Sequence, residues 1–206
     1  YITTDRADNQ ITGFNPGAMK YSSGLDFDRL DPSQTMMIIA PGNLDDMAKY
    51  PRECKTRGIN YIFDPGQSLP MWNPKDLAQA IDGCMLLISN DYELDLIMSK
   101  TGLSKKDLLE GARIIVTTLG EHGSRVCTAD GETAIPAIKP RNVLDPTGAG
   151  DSYRGGLISG LAHGDDILHA AMMGSVCASF SVECYGTQEY KFTRKEFEDR
   201  LNGRST

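Results

Sequence analysis

Between Thr35 and Gly120 the chain alternates four short apolar runs with segments that carry helix-start signals. "TMMIIA" stops at "PGN", "INYIFD" at "PGQ", "GCMLLISN" at Asn90, and "ARIIVTTLG" at a glycine. Runs this short and this apolar suit strands covered on both faces, the condition of a parallel sheet. Between them, Asn73-Pro74 opens a helix with Leu77 and Ile81 on one face and Gly83 beyond its end. Asn90 opens a second, with Leu94, Ile97 and Met98 turned inward, and Ser104 opens a third, with Asp107 three residues on. This alternation predicts an α/β fold with a mostly parallel central sheet. "SRVCTA" and "ETAIPA" predict a trailing hairpin, and helices are expected over roughly 149–162, 165–183 and 194–202.

Residues 1–23 depart from that pattern. "YITT" and "QITGF" flank "DRADN", which predicts a β-hairpin, and "NPGAM" ends it. The stretch is too polar to build a core, so it is expected to be an appendage that covers something: a small β segment over 1–23, with the α/β core over 24–206. The chain opens directly in strand and turn without a Met, so a preceding segment is expected. "KFTRKEFEDR" reads as a solvated helix face above Phe197 and Leu201. No internal repeat or low-complexity stretch interrupts the chain.

Composition narrows the function classes. The net charge is −7 and no basic tract stands out, which argues against nucleic acid as a partner. Five cysteines, an odd count with no CxxC spacing, argue against a disulfide framework or zinc site and favour reduced thiols in a cytoplasmic protein. The longest apolar runs are too short to span a bilayer, and no signal peptide is visible.

Three strand ends carry glycine, proline or asparagine, and ligands of open α/β sheets bind outside the carboxyl ends of their strands. The stretch "NVLDPTGAGDSYRGG", Asn142 to Gly156, adds the chemistry. Gly148, Ala149 and Gly150 offer nearly bare backbone N–H groups at a helix start, where the dipole favours an anion. Asp151 in the first turn reads in two ways. It either complements the helix dipole, worth roughly 0.3–1 kcal/mol, or takes a proton from a hydroxyl as that oxygen attacks phosphorus. No Gly-Lys-Ser/Thr follows, so this is not a P-loop.

"DPTGAGDSYRGGL" resembles the C-terminal signature of the ribokinase-like (PfkB) family of sugar and nucleoside kinases, a D-T-x-G-x-G-D run entering a helix. Asp145, Thr147, Gly148, Gly150 and Asp151 match, with Pro146 inserted. "SNDYE" resembles that family's N-x-x-E motif, "TTLGEHGS" its T-x-G-x-x-G strand end and "YGTQ" a late G-A/T-x element, all in the family's order. The resemblance implies a three-layer α/β/α ribokinase-like fold with a β lid, and phosphoryl transfer from ATP to a hydroxyl. It makes Asp151 the general base and Gly148, Ala149 and Gly150 the anion hole. It assigns Thr118, Gly120, Gly123, Ser175, Ala178 and Gly186 to the nucleotide, and Asn90 and Glu93 to Mg²⁺ or its waters. It also allows a monovalent cation and a homodimer formed through the lid.

Residue chemistry leaves other roles open. Asn90 and Glu93 also form a capping pattern. Asp64 in "FDPGQ" suits a turn as well as a phosphate or metal site. Arg154 suits a structural salt bridge as well as an anion, and His122, His163 and His169 are assigned no chemistry. The family's first strands and its sugar-holding Gly-Gly motif have no counterpart here. The chain is therefore read as a nucleoside or sugar kinase, most like the bacterial and archaeal adenosine or nucleoside kinase-like branch. Ribose or fructose is the alternative acceptor, and a shortened, non-catalytic nucleotide-binding or assembly module is the alternative function.

Overall fold

The computed structural model describes residues 2–4 and 10–203. Strands β1 (Ile2–Thr4) and β2 (Gln10–Thr12) pair antiparallel, with Ile2 opposite Thr12, as the N-terminal sequence predicts. The expected "DRADN" turn lies outside the described residues.

The main sheet has six strands in chain order. β3 (Met36–Ile39), β4 (Asn60–Phe63), β5 (Leu86–Asn90) and β6 (Ile115–Thr118) run parallel. β7 (Ser124–Thr128) and β8 (Gly131–Ile135) continue it antiparallel, the trailing hairpin read from sequence. Helices α1 (Leu44–Arg57), α2 (Pro74–Ile81), α3 (Asp91–Thr101) and α4 (Lys105–Gly111) follow the parallel strands. α5 (Ala149–His163), α6 (Ile167–Ser181) and α7 (Arg194–Leu201) close the chain.

Side-chain alternation splits the core between two faces, because successive residues of a strand point to opposite sides. Tyr61 and Phe63 of β4 join Met47, Leu77, Ile97 and Leu108 from α1–α4. Ile62 between them joins Tyr153, Leu157, Ala170 and Ala171 from α5 and α6 on the opposite face. The result is three layers. α5 and α6 approach closely because small residues line their contact. A Cβ on Gly156 would stand 2.6 Å from the Met173 carbonyl oxygen, and one on Gly160 would stand 2.8 Å from the Ala170 Cα.

The helix starts are set by local chemistry. Asn73, Asn90 and Ser104 each accept a hydrogen bond from the backbone three residues on. α6 is shorter than its expected span because Asp166 caps it, accepting from the Leu168 and His169 amides. The charged C-terminal helix is not a purely solvated face. Arg200 is buried, donating to the Ser179 hydroxyl at 3.0 Å, pairing with Glu183 at 2.9 Å and covering the Phe180 ring. A guanidinium can sit inside when its donors and its flat face are all used. No helix among the described residues is long and apolar enough to cross a membrane.

The segment after β2 is tied to the start of α1. Asp46, buried in α1, accepts from the Ser22 hydroxyl at 2.6 Å and the Ser23 amide at 2.7 Å, while Asn43 donates to the Lys20 carbonyl. Burial alone would raise the Asp46 carboxyl, but bonds from Ser22, Ser23 and Tyr50 outweigh it and hold it below the ordinary Asp value. A depressed folded pKa contributes stability above the unfolded value of about 3.9, lost as pH falls through the folded one. Asp46→Ala is therefore expected to cost about 1–3 kcal/mol at neutral pH and to speed protease cleavage within 13–26. The difference from wild type should close as the pH is lowered below 4. Equal cleavage at neutral pH would show that Asp46 does not hold this segment.

Candidate active site

Asp64, just beyond β4, is bonded to Arg154 of α5, and the ends of β5 and β6 lie side by side at Asn90 and Thr118. The loop that delivers the first turn of α5 is pinned from behind by the end of α6. Leu144 donates to the Val182 carbonyl at 2.8 Å and the Arg141 amide to Glu183 at 2.7 Å. The Asp145 carboxylate joins two parts of the sequence, accepting from the Thr147 amide at 2.9 Å and the Gly186 amide at 3.1 Å. Bonds from Thr147, then from Gly186, hold that carboxyl below the usual Asp range. "DPTG" and "YGTQ", far apart in sequence, thus form one structure. Thr187 packs over Gly148, whose missing Cβ would stand 3.1 Å from the Thr187 Cβ and Cγ2.

Gly148 sits in the left-handed region at φ 84° and starts α5 without a side-chain cap. Among the described residues, the amides of Gly148, Gly150 and Asp151 have no protein acceptor. The first amides of any helix lack partners within it. Here no protein acceptor takes them among the described residues, and the helix dipole makes the place attractive to an anion. Asp151 is exposed in this turn and forms no hydrogen bond or ion pair among the described residues.

Asp64 stands just beyond β4 and is 3% exposed. Its Oδ1 accepts from Arg154 Nη2 at 3.0 Å, and its Oδ2 lies 2.5 Å from Arg154 Nε. Burial pushes the Asp64 carboxyl upward. Arg154 opposes this, while the negative charges of Glu93 and Asp151 act in the same sense as burial. Asp64 and Arg154, from separate elements, are thus held together by the fold, and Glu93 and Asp151 act on the same carboxyl through their charge.

Asn90 and Glu93 form the reciprocal capping box that the spacing allowed. The Glu93 amide donates to Asn90 Oδ1 at 2.7 Å and the Asn90 amide to Glu93 Oε2 at 2.8 Å. Glu93 Oε1 keeps its bonding capacity. Asn90 is also the register partner of Thr118, so the ends of β5 and β6 lie side by side. Beyond Thr118, Gly120 is exposed, whereas Gly123 is buried in a turn closed by a bond from the Leu119 amide to the Gly123 carbonyl. Ser175 is buried and Ala178 half-buried on α6. The Asp145–Gly186 tie and the orientation of Arg154 toward Gly150 are not legible in the sequence. An Asp two residues before a backbone turn is the nearest signal to the first.

Residues 1–193 match the model of the pfkB family of carbohydrate kinases. The chain is 35% identical over 202 residues to the nucleoside kinase of Methanocaldococcus jannaschii, which covers 98% of this chain and 66% of that protein. It superimposes on the nucleoside kinase of Burkholderia thailandensis in complex with inosine with a TM-score of 0.92 and 36% identity, covering 98% of this chain and 66% of the other. The ADP-inosine complex of the same kinase gives a TM-score of 0.92 at 35% identity, covering 98% and 63%. The chain therefore spans about two thirds of the length of the relatives it matches.

Proposed function

The chain belongs to the pfkB family of carbohydrate kinases, and from that premise we propose that it carries the phosphoryl-transfer site of an ATP-dependent nucleoside kinase. The observation that carries the reading is the start of α5: amides without a protein acceptor at Gly148, Gly150 and Asp151, with an unpaired carboxylate beside them. The inosine and ADP-inosine complexes of the similar Burkholderia kinase support a nucleoside as acceptor and ATP as donor.

In this reading the γ-phosphoryl group of ATP rests on the Gly148, Gly150 and Asp151 amides; the Ala149 amide, also expected in the anion hole, is instead given to the Pro146 carbonyl at 3.2 Å. Asp151 accepts the proton of the acceptor hydroxyl as that oxygen bonds to the γ-phosphorus. The bond from the γ-phosphorus to the β,γ-bridging oxygen breaks, and ADP leaves with that oxygen. Transfer of this kind depends on positioning and charge stabilisation more than on covalent chemistry. Thr118, Gly120 and Gly123 on one side, and Ser175, Ala178 and Gly186 on the other, are assigned to the nucleotide. Residues 1–23 are assigned as a lid over the acceptor.

Mg²⁺ fits the residues present as an ion held through its waters. Among the described residues no group of three or more acidic, His or Cys side chains forms a metal cage. Glu93 Oε1 and Asn90 remain on the site edge as acceptors for ordered water. The ion would supply charge neutralisation on the phosphates. Glu93→Gln preserves a capping-box residue at that position, so it should barely change the unfolding midpoint. It should raise the Mg²⁺ concentration for half-maximal rate by roughly 10–100-fold. A cap-only role predicts an unchanged Mg²⁺ titration.

The reading is tested by ADP release from the intact protein with inosine, adenosine, ribose and fructose as acceptors. Turnover should be highest with a nucleoside. Tight ATP binding with no turnover of any acceptor would instead mark a non-catalytic nucleotide-binding module.

A further inference from the structure

Arg154 is a cation kept at the positive end of a helix. It lies in the second turn of α5, and its side chain reaches back toward the helix start, as helical side chains do. The dipole there disfavours a positive charge. The side chain is also largely buried, at 15% exposure against 4% for Asp64. A buried ion pair is a weak reason for such an arrangement, since desolvation offsets most of its attraction and an apolar pair packs as well.

The guanidinium is used on one edge only. Asp64 takes Nη2 and faces Nε. Nη1 has no acceptor among the described residues and lies 2.7 Å from the point that a Cβ on Gly150 would occupy. Gly150 thus leaves the space that the guanidinium fills, directly against the unpaired amides. Glu93 and Asp151 lie close enough to Asp64 to interact with it electrostatically. Among these four charged groups Arg154 is the cation, beside the carboxylates of Asp64, Glu93 and Asp151.

We propose that Arg154 is a phosphate-binding residue of the transfer site: Nη1 donates to the phosphoryl group held on the Gly148, Gly150 and Asp151 amides, and Asp64 is the positioning residue that fixes the guanidinium plane. This rests on the kinase reading above, because it needs a phosphoryl group at the start of α5. A guanidinium fits the task better than an ammonium, since one edge can be anchored while another donor faces the anion.

The test pairs turnover with calorimetric titration of the intact protein by Mg-ATP and Mg-ADP. Arg154→Gln should lower kcat by about 10²-fold, the usual effect of removing one preorganised donor. It should weaken ATP about tenfold, as expected for loss of a charge-assisted hydrogen bond, and leave ADP nearly unchanged. The double variant Asp64→Asn/Arg154→Gln removes the pair without leaving an unpaired buried charge. It should remain as slow as Arg154→Gln, and it carries the reading should the single variant fail to fold. Recovery of kcat in the double variant, or equal weakening of ATP and ADP, would overturn the proposal. Wild-type protein that binds ATP but phosphorylates no acceptor would sink the kinase reading alone, because the ATP-against-ADP comparison still decides the role of Arg154.

Discussion

Asp151→Asn should lower kcat by about 10²–10⁴-fold, the range of general-base contributions, while the KM for ATP stays nearly unchanged. Asparagine matches aspartate in shape and is tolerated at helix starts. Asp151 makes no hydrogen bond or ion pair among the described residues, so no partner is orphaned by the change. The structural cost is confined to the lost interaction with the helix dipole, about 0.3–1 kcal/mol. Unfolding midpoints and steady-state kinetics on the same preparation separate the two roles. If the variant keeps more than about a tenth of the wild-type kcat, well above the general-base range, Asp151 serves the helix and the base lies elsewhere.

The second large effect is on stability. Gly123→Ala should destabilise the protein by about 3–5 kcal/mol, combining strain at a backbone conformation that L residues avoid with overpacking. Gly123 has φ 87° and ψ −133°. A Cβ there would stand 2.1 Å from the Ile135 carbonyl oxygen and 2.6 Å from the Ala137 nitrogen, both backbone atoms. The turn between β6 and β7 can relieve neither contact without moving β8. Against a typical total of about 5–15 kcal/mol, that loss is large. Gly120→Ala is the control, because nothing lies within 4 Å of its Cβ position. It should cost about 1–2 kcal/mol for its left-handed backbone. Urea unfolding of both variants decides the matter. If the two midpoints shift equally, Gly123 is not the packing point of this turn.

That contrast bears on how the family motifs are read. "TTLGEHGS" presents two glycines as equals at the edge of a nucleotide site. In the fold, Gly120 faces outward and Gly123 is pressed against the start of the segment after β8. Similarly, Asn90 and Glu93 carry the capping role that their spacing allowed, and one Glu93 oxygen is still left for the site.

Much of the fold was decided locally, and local physics is what a sequence displays. Apolar runs stopped by Gly, Pro and Asn marked β3 to β6, and Asn73, Asn90 and Ser104 marked the starts of α2, α3 and α4, because caps and strand ends are set by neighbours a few residues away. The "GAGD" entry to α5 was equally visible, since bare backbone before an acid is a property of consecutive residues. What only the tertiary structure decided are pairings across long sequence separation. Asp145 holds Gly186, Asp46 holds Ser22 and Ser23, Arg200 turns inward onto Phe180, and Arg154 crosses from α5 to Asp64 at the end of β4. A charged side chain looks the same in sequence whether it ends in water or in a site. Its partner is chosen by how the layers stack, and only the folded backbone brings Asp64 to Arg154 near the start of α5, where the guanidinium has one edge held by Asp64 and one edge facing Gly150.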